Sequence, residues 1–262
     1  MRRPAILDDL LAMPDDGKRY WLMDGEIAEM GMTQRNKVLA ADAKGYRIEQ
    51  TIEKTVVVTG QPGAEDAAKK MAGTVFVFTL DAKFAVKKME GLDKLLDTLS
   101  GDNAEIRKTL AALLTEELYT AGFAEFFRSA PEAPVKLGGK WTLDHTMPLG
   151  AGLGSLKVES KFKYALSDEA GDKITWSADA TYEPSKADAG LPFKFVGGEL
   201  KSESFTGQYS FDSKRGRIKT NSTKIKIGGT STISVNGTEV EMGIRQAIES
   251  TTTISDKSPA DD

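Results

Sequence analysis

Cysteine is absent and histidine occurs once, at His145, in a chain of 262 residues. Without thiols there is no disulfide framework, thiolate nucleophile, iron–sulfur cluster or cysteine-ligated zinc finger. A single imidazole excludes a multi-histidine metal site and a two-histidine acid/base pair. A basic excess is missing too, because 35 Lys and Arg stand against 39 Asp and Glu, a formal net charge of −4. That balance lacks the electrostatic footprint of a dedicated nucleic-acid surface, so no nucleic-acid partner is expected. No run approaches the ~18 apolar residues of a membrane-spanning helix, and no transmembrane segment is expected. Arg2 and Arg3 imitate the start of a signal peptide, but Asp8, Asp9, Asp15 and Asp16 occupy the place of its apolar core. The sequence therefore reads without an export signal and, taken alone, as cytoplasmic. The lack of cysteine does not decide the compartment, since exported proteins can do without disulfides.

What is present is enough apolar sequence for a core, 40% of residues, in a chain long enough to bury roughly 75% of its unfolded surface. Ile6 to Met13 reads as a short helix stopped by Pro14, and Tyr20 to Met23 as a strand turned at Asp24-Gly25 into Glu26-Ile27-Ala28. Residues 31–43 show neither period and are read as a junction. Tyr46, Ile48, Gln50 and Ile52 then alternate with polar neighbours, and Gln61-Pro62-Gly63 marks a loop. Thr74 to Leu80 is apolar at nearly every position and is expected to be central in a sheet, buried on both faces.

The middle of the chain is helical. Leu92, Leu95, Leu96 and Leu99 form one stripe, ended by Ser100-Gly101. Asp102 and Glu105 have capping-box spacing before Ile106, Leu110, Leu113, Leu114 and Leu118, and Phe123, Phe126 and Phe127 extend that face. From Gly138 onward the pattern is almost entirely β. Trp141, Leu143, His145 and Met147 share one face, as do Leu156, Val158, Ser160, Phe162 and Tyr164, then Ile174, Trp176, Ala178, Ala180 and Tyr182. Phe205, Gly207, Tyr209 and Phe211 repeat the period, Ser213 to Gly216 turns the chain, and Asn236-Gly237 is a two-residue hairpin signal. Ser and Thr supply 19 of the last 62 residues, the composition of a sheet face that stays wet. The expected fold is α+β, mainly β, a long antiparallel, curved, meandering sheet with an amphipathic helical segment inserted at about 92–127. The expected divisions are an N-terminal fragment and junction over 1–43, a β-rich domain over 44–255 and a disordered polar tail over 256–262.

Each candidate for chemistry has a plainer explanation beside it. His145 has an acid next to it, Asp144, but alternation sends the two side chains to opposite faces and no nucleophile accompanies them. Gly150, Gly152 and Gly154 imitate a phosphate loop, yet a strand rather than a helix N-terminus follows, so a hairpin turn is expected. Acid-x-lysine pairs, the tail of many nuclease metal sites, occur six times, including Asp42/Lys44, Glu159/Lys161 and Asp212/Lys214, as 39 acids and 25 lysines would place them by chance. Asn221 and Asn236 sit in glycosylation sequons, which matter only in a eukaryotic secretory pathway. Lys157/Lys161/Lys163 and Lys219/Lys224/Lys226 make a basic strand face, read as solvated surface or, alternatively, as a face for an anionic lipid or polysaccharide.

Two resemblances meet in the chain. The segment Asp8 to Glu26, continuing through Met32-Thr33-Gln34-Arg35-Asn36, resembles the start of the bacterial Uma family of restriction-type endonucleases over residues 5–36. That resemblance implies a metal-dependent nuclease whose later strands carry the catalytic acids and lysine. Those strands have no counterpart here, so nuclease activity is not carried over and no catalytic, cofactor-binding or metal residue is assigned. Residues 44–259 resemble a bacterial family of unknown function found mostly in exported or envelope proteins. The matching stretches include Asp81 to Asp93, Pro134 to Leu143, Thr181 to Pro184, Leu191 to Lys194 and Gly207 to Ile218. This second resemblance implies no established activity, cofactor or ligand. The expectation is a non-enzymatic β-rich domain, a structural module or a binder of a hydrophobic or anionic ligand in the bacterial envelope. The alternative is a nuclease-like protein through its leader.

Overall fold

The computed structural model describes residues 19–23, 26–58, 63–131, 133–149, 154–168, 171–185, 194–235 and 238–256. The helix expected at Ile6–Met13, the turns at Asp24-Gly25 and Asn236-Gly237, and the tail beyond Asp256 lie outside the described residues. The architecture is mostly β and antiparallel. Among the described residues eleven strands run in chain order: β1 (Arg19–Met23), β2 (Glu26–Asp42), β3 (Gly45–Val58), β4 (Val75–Asp81), β5 (Val86–Glu90), β6 (Lys140–Pro148), β7 (Ser155–Asp168), β8 (Gly171–Glu183), β9 (Lys194–Asp212), β10 (Arg217–Val235) and β11 (Thr238–Thr253). Helix α1 (Ala64–Met71) lies between β3 and β4, and α2 (Leu92–Ser100), α3 (Ala104–Leu113) and α4 (Glu116–Arg128) lie between β5 and β6.

Strand order is β5-β4-β3-β2-β1-β11-β10-β9-β8-β7-β6, a meander interrupted once. The short strand β1 joins the two halves by pairing Arg19–Met23 with β2 and Arg19–Trp21 with β11. The sheet thus runs across the boundary expected at residue 43, since β2 pairs with β3 from Glu29↔Val58 to Asp42↔Gly45. Residues 31–43 lacked a period for two physical reasons. Register shifts at Thr33/Gln34 and Val38/Ala40 break the alternation, and residues 34–42 are exposed on both faces, so nothing selects apolar side chains for one of them.

Other local expectations shift in ways the packing explains. Strand β4 is second from the sheet edge rather than central, and only Phe76, Phe78 and Leu80 are buried while Val75, Val77 and Thr79 are half-exposed. The helix cap falls on Asn103, whose Oδ1 accepts from the Ile106 amide at 3.0 Å, not on Asp102. The apolar run after it is two helices, because the Thr115 hydroxyl caps a new start by accepting from the Leu118 amide. Helix α1 follows a stretch read only as a loop. Beyond β11, Ile254 N–H donates to the Lys219 carbonyl, and Asp256 accepts from both Arg215 and Arg217, so the first tail residues are held against the β9–β10 hairpin.

The main core forms where α2 and α4 cover β3, β4 and β5. Ile48, Ile52, Phe76, Phe78, Leu80, Met89, Leu95 and Phe123 are buried together. The Phe78 and Phe123 rings stack with centroids 3.8 Å apart, and Tyr119 lies across Phe76 at 5.0 Å. Such ring pairs add about 0.5–1.5 kcal/mol each beyond the area they bury. Gly91 lets the chain turn from β5 into α2: its φ is +105°, and a Cβ there would stand 2.2 Å from the Val75 carbonyl oxygen.

Candidate functional site

The apolar face of β6–β10 follows from alternation along each strand, interrupted at register shifts. Pairing sets Trp141 opposite Phe162, and Phe162 opposite Trp176, which in turn lies opposite Gly207. Trp141 stacks on Phe162 at 5.2 Å, and Trp176 meets Phe205 edge-on at 5.5 Å. The next rows, Leu143–Ser160–Ala178 and His145–Val158–Ala180, bring small side chains between the aromatic row and Met147, Leu156 and Tyr182. Leu156, Val158, Ala178, Leu200, Phe205 and Ile227 form a buried cluster, with Met147, Leu149, Trp176, Ala180, Tyr182 and Ile225 against it. All of these residues come from strands β6–β10 or from Leu149, just after β6, whereas the first core takes Leu95 and Phe123 from helices.

On this face the Trp141 Nε1–H and the Ser202 hydroxyl are buried with no hydrogen-bond partner among the described residues. Leaving such a group unpaired costs about 1–3 kcal/mol. The opposite face carries charge. Lys157 pairs with Glu183 at 2.5 Å, Lys161 with Asp179 at 2.6 Å, and Lys224 with Glu249 at 3.0 Å. Asp179 beside it pushes the Lys161 ammonium above the ordinary lysine range. Lys157, Lys161 and Lys224 of the two lysine faces are thus matched by acids. The strands β6–β10 carry an apolar face and, opposite it, a charged one.

His145 faces inward, its side chain 10% exposed, with Nε2 3.5 Å from Glu125 Oε1 of α4. Asp144 sits on the other face, exposed and opposite Glu159, as alternation requires. The histidine therefore ties the edge strand β6 to α4. At the far edge, Phe84, just before β5, stacks on Phe127 of α4 at 5.1 Å. From the middle of the second half, the Tyr209 hydroxyl of β9 donates to the Ser129 carbonyl at the end of α4 at 3.1 Å. One helix is thus reached from β4, β6, β9 and the entry to β5.

Burial of Tyr209 pushes its phenol up to about 12, from a usual 10, with the Ser129 hydrogen bond pulling the other way. Below pH 10 both folded and unfolded forms are protonated, and the contribution of Tyr209 is constant. Between pH 10 and 12 the unfolded phenol ionises first, so stability falls by about 2–3 kcal/mol across that window. Urea unfolding at pH 9 and pH 12 is expected to show this loss in the parent chain and a smaller one in Tyr209→Phe. Equal losses in the two proteins would show that Tyr209 is not buried under Ser129.

Among the described residues no group of three or more His, Asp or Glu side chains is placed to hold a metal. Gly150 to Leu153 lie outside the described residues, but β6 ends at Pro148, β7 begins at Ser155, and Leu149 N–H donates to the Gly154 carbonyl, so the glycines lead into a strand. Asp24 and Glu26, two acids of the Uma-like segment, carry no described side chains, and Asn221 lies within β10. Sequence patterning placed Trp141, Phe162, Trp176 and Tyr209 on common faces but missed Ser202. A bulge around Glu203 changes the parity of β9, with Lys226 opposite Ser204 and Ile227 opposite Ser202, and no local signal marks it. Glu125 was equally invisible, because only docking of α4 brings it to His145.

These features define a β-rich antiparallel domain in which one face of β6–β10 is apolar and aromatic and the opposite face is charged. The chain belongs to a family of unknown function (DUF6263), whose model matches residues 27–261. That match begins at the second residue of β2, so it takes in the strand that had been read as a junction. No curated protein and no solved structure matches the chain.

Proposed function

We propose that this protein is a non-enzymatic binding module that holds a hydrophobic or amphiphilic small molecule against the inward face of a curved sheet. The observation that carries the reading is the strand-only apolar cluster of β6–β10 beside the unpartnered Trp141 Nε1–H and Ser202 hydroxyl. Curvature is supported by a length comparison. Laid flat, ten inter-strand spacings of ~4.8 Å would separate β5 from β6 by about 48 Å. Helix α4, with 13 residues, is only about 20 Å long, yet Phe127 meets Phe84 beside β5 while Glu125 meets His145 on β6. A sheet rolled into a trough, with α4 across its two edges, satisfies both distances. Placement in the bacterial envelope rests on the resemblance of residues 44–259 alone.

A carboxylated fluorescent acyl probe tests the function. Saturable binding is expected, with energy transfer from Trp141 and Trp176. Trp141→Phe keeps an aromatic ring and removes the N–H donor, so it is expected to weaken the carboxylate probe about tenfold, or about 1.4 kcal/mol. The same variant is expected to leave the probe's methyl ester nearly unaffected. Absence of saturable binding to the parent chain would reduce the module to a scaffold. Incubation with supercoiled plasmid and Mg²⁺ or Mn²⁺ is expected to leave the DNA intact; nicking would redirect attention to the Uma-like leader.

A further inference from the structure

The two end strands of the sheet, β5 and β6, both meet α4, but a third edge lies inside the strand order. Strand β1 pairs with β2 only as far as Arg19↔Met30. From Gly31 to Asp42, β2 has β3 on one side and no strand on the other among the described residues. Every residue from Gln34 to Asp42 is exposed. A bare edge of this length presents unpaired backbone N–H and C=O groups and is a template for another strand.

We propose that β2 is the dimerisation edge of this protein, pairing antiparallel with β2 of a second copy about a two-fold axis between Val38 and Leu39. The argument is charge and face complementarity. In that register Arg35 lies opposite Asp42 of the second copy, Asn36 opposite Ala41 and Lys37 opposite Ala40, each pair occurring twice. Positions seven apart face opposite sides of a regular strand, but the extra residue at Leu39 changes this. Pairing with β3 puts Arg35, Lys37, Ala40 and Asp42 on the face of Thr51, Glu49 and Arg47, and Asn36, Val38 and Ala41 on the face of Gln50, Ile48 and Tyr46. The bulge therefore brings both members of every pair to the same face. Asp42 uses Oδ1 to cap the hairpin by accepting from the Lys44 and Gly45 amides, and its Oδ2 takes no part in that cap. Arg35 already leans on Glu53 at 3.0 Å with its side chain 63% exposed, so an approaching carboxylate meets a cation held in place.

The chain contains no cysteine, which makes the register directly readable. In the full-length double variant Lys37→Cys/Ala40→Cys, mild oxidation is expected to give a covalent dimer, because only thiols on closely opposed Cβ atoms can bridge. The single variants Lys37→Cys and Ala40→Cys are expected to stay monomeric on the same gel. Light scattering of the parent chain is expected to show a dimer that dissociates on dilution and weakens at high salt. Arg35→Glu sets like charges opposite Asp42 and is expected to raise the dissociation constant at least tenfold, with its melting curve as the folding control. A parent chain that is monomeric at every concentration overturns the proposal. So does a double variant that fails to cross-link, or single variants that cross-link as well as the double. Failure of acyl-probe binding would leave this inference standing, since it rests on a different face of the molecule.

Discussion

Truncating Phe123 to alanine is expected to cost about 3–5 kcal/mol, among the largest effects of any single side chain in the helical layer. Phe123 is 5% exposed, stacked on Phe78 and tilted against Phe127, with ring centroids 5.6 Å apart in the second pair. Removing the ring leaves a void walled by β4 on one side and by its own helix on the other, two elements that cannot collapse together without breaking sheet pairing. The loss reaches beyond the local cavity, because α4 also carries Glu125 to His145 and ends at Ser129, the acceptor for Tyr209. A chemical denaturation curve should move by the full amount, and the thermal midpoint should drop by about 10 °C. Leu137→Ala is the control, since Leu137 is 60% exposed and its loss should stay within about 0.5 kcal/mol. A loss below about 1 kcal/mol for Phe123→Ala would mean that α4 does not seat on β4.

The second large effect is expected at Gly207, in the middle of β9. A Cβ at this position would stand 2.5 Å from the Ser222 carbonyl oxygen and 2.6 Å from two ring carbons of Trp176. Neither neighbour can give way cheaply. Ser222 belongs to the backbone of β10, and Trp176 is wedged between Phe162 at 6.3 Å and Phe205 at 5.5 Å. Gly207→Val should therefore cost about 3 kcal/mol or more, through strain in the β9–β10 pairing and displacement of the indole. Near-UV circular dichroism should report the displaced tryptophan directly. Gly31→Ala makes the contrast: it too is a strand glycine, but nothing lies within 4 Å of the position its Cβ would take, so stability should hold or rise slightly. If the two substitutions behaved alike, the glycine at 207 would be an accident of sequence and not the seat of Trp176.

The two sites also mark how far residue patterning reaches. Trp176 and Gly207 were each legible as members of alternating runs, because side-chain direction in a strand has period two and needs no knowledge of distant neighbours. Their contact was not legible, since it depends on which strands are adjacent and in what register. The same holds for His145. Alternation separated it from Asp144 correctly, yet its approach to Glu125 required a helix from another part of the chain to dock. Bulges mark a third limit. The extra residue at Leu39 removed the period from β2 and the one near Glu203 hid Ser202, although both are ordinary features of long twisted strands. Helix α1 escaped because it covers one short stretch of β3 and buries only Ala68, too little to impress a stripe on the sequence.

Composition and short-range order determined a great deal by themselves. The absence of cysteine, the single histidine and the balanced charge set the available chemistry, and the 2.0 and 3.6 periods separated strand from helix over most of the chain. Only the tertiary structure decided that β1 would sit between β2 and β11, that one helix would reach toward both edges of the sheet, and that β2 from Gly31 to Asp42 would pair with β3 alone among the described residues. The physical reason is the range of the interactions. Propensity, alternation and capping are settled within a few residues, whereas strand neighbours, buried clusters and bare edges are chosen by the free energy of the whole folded chain.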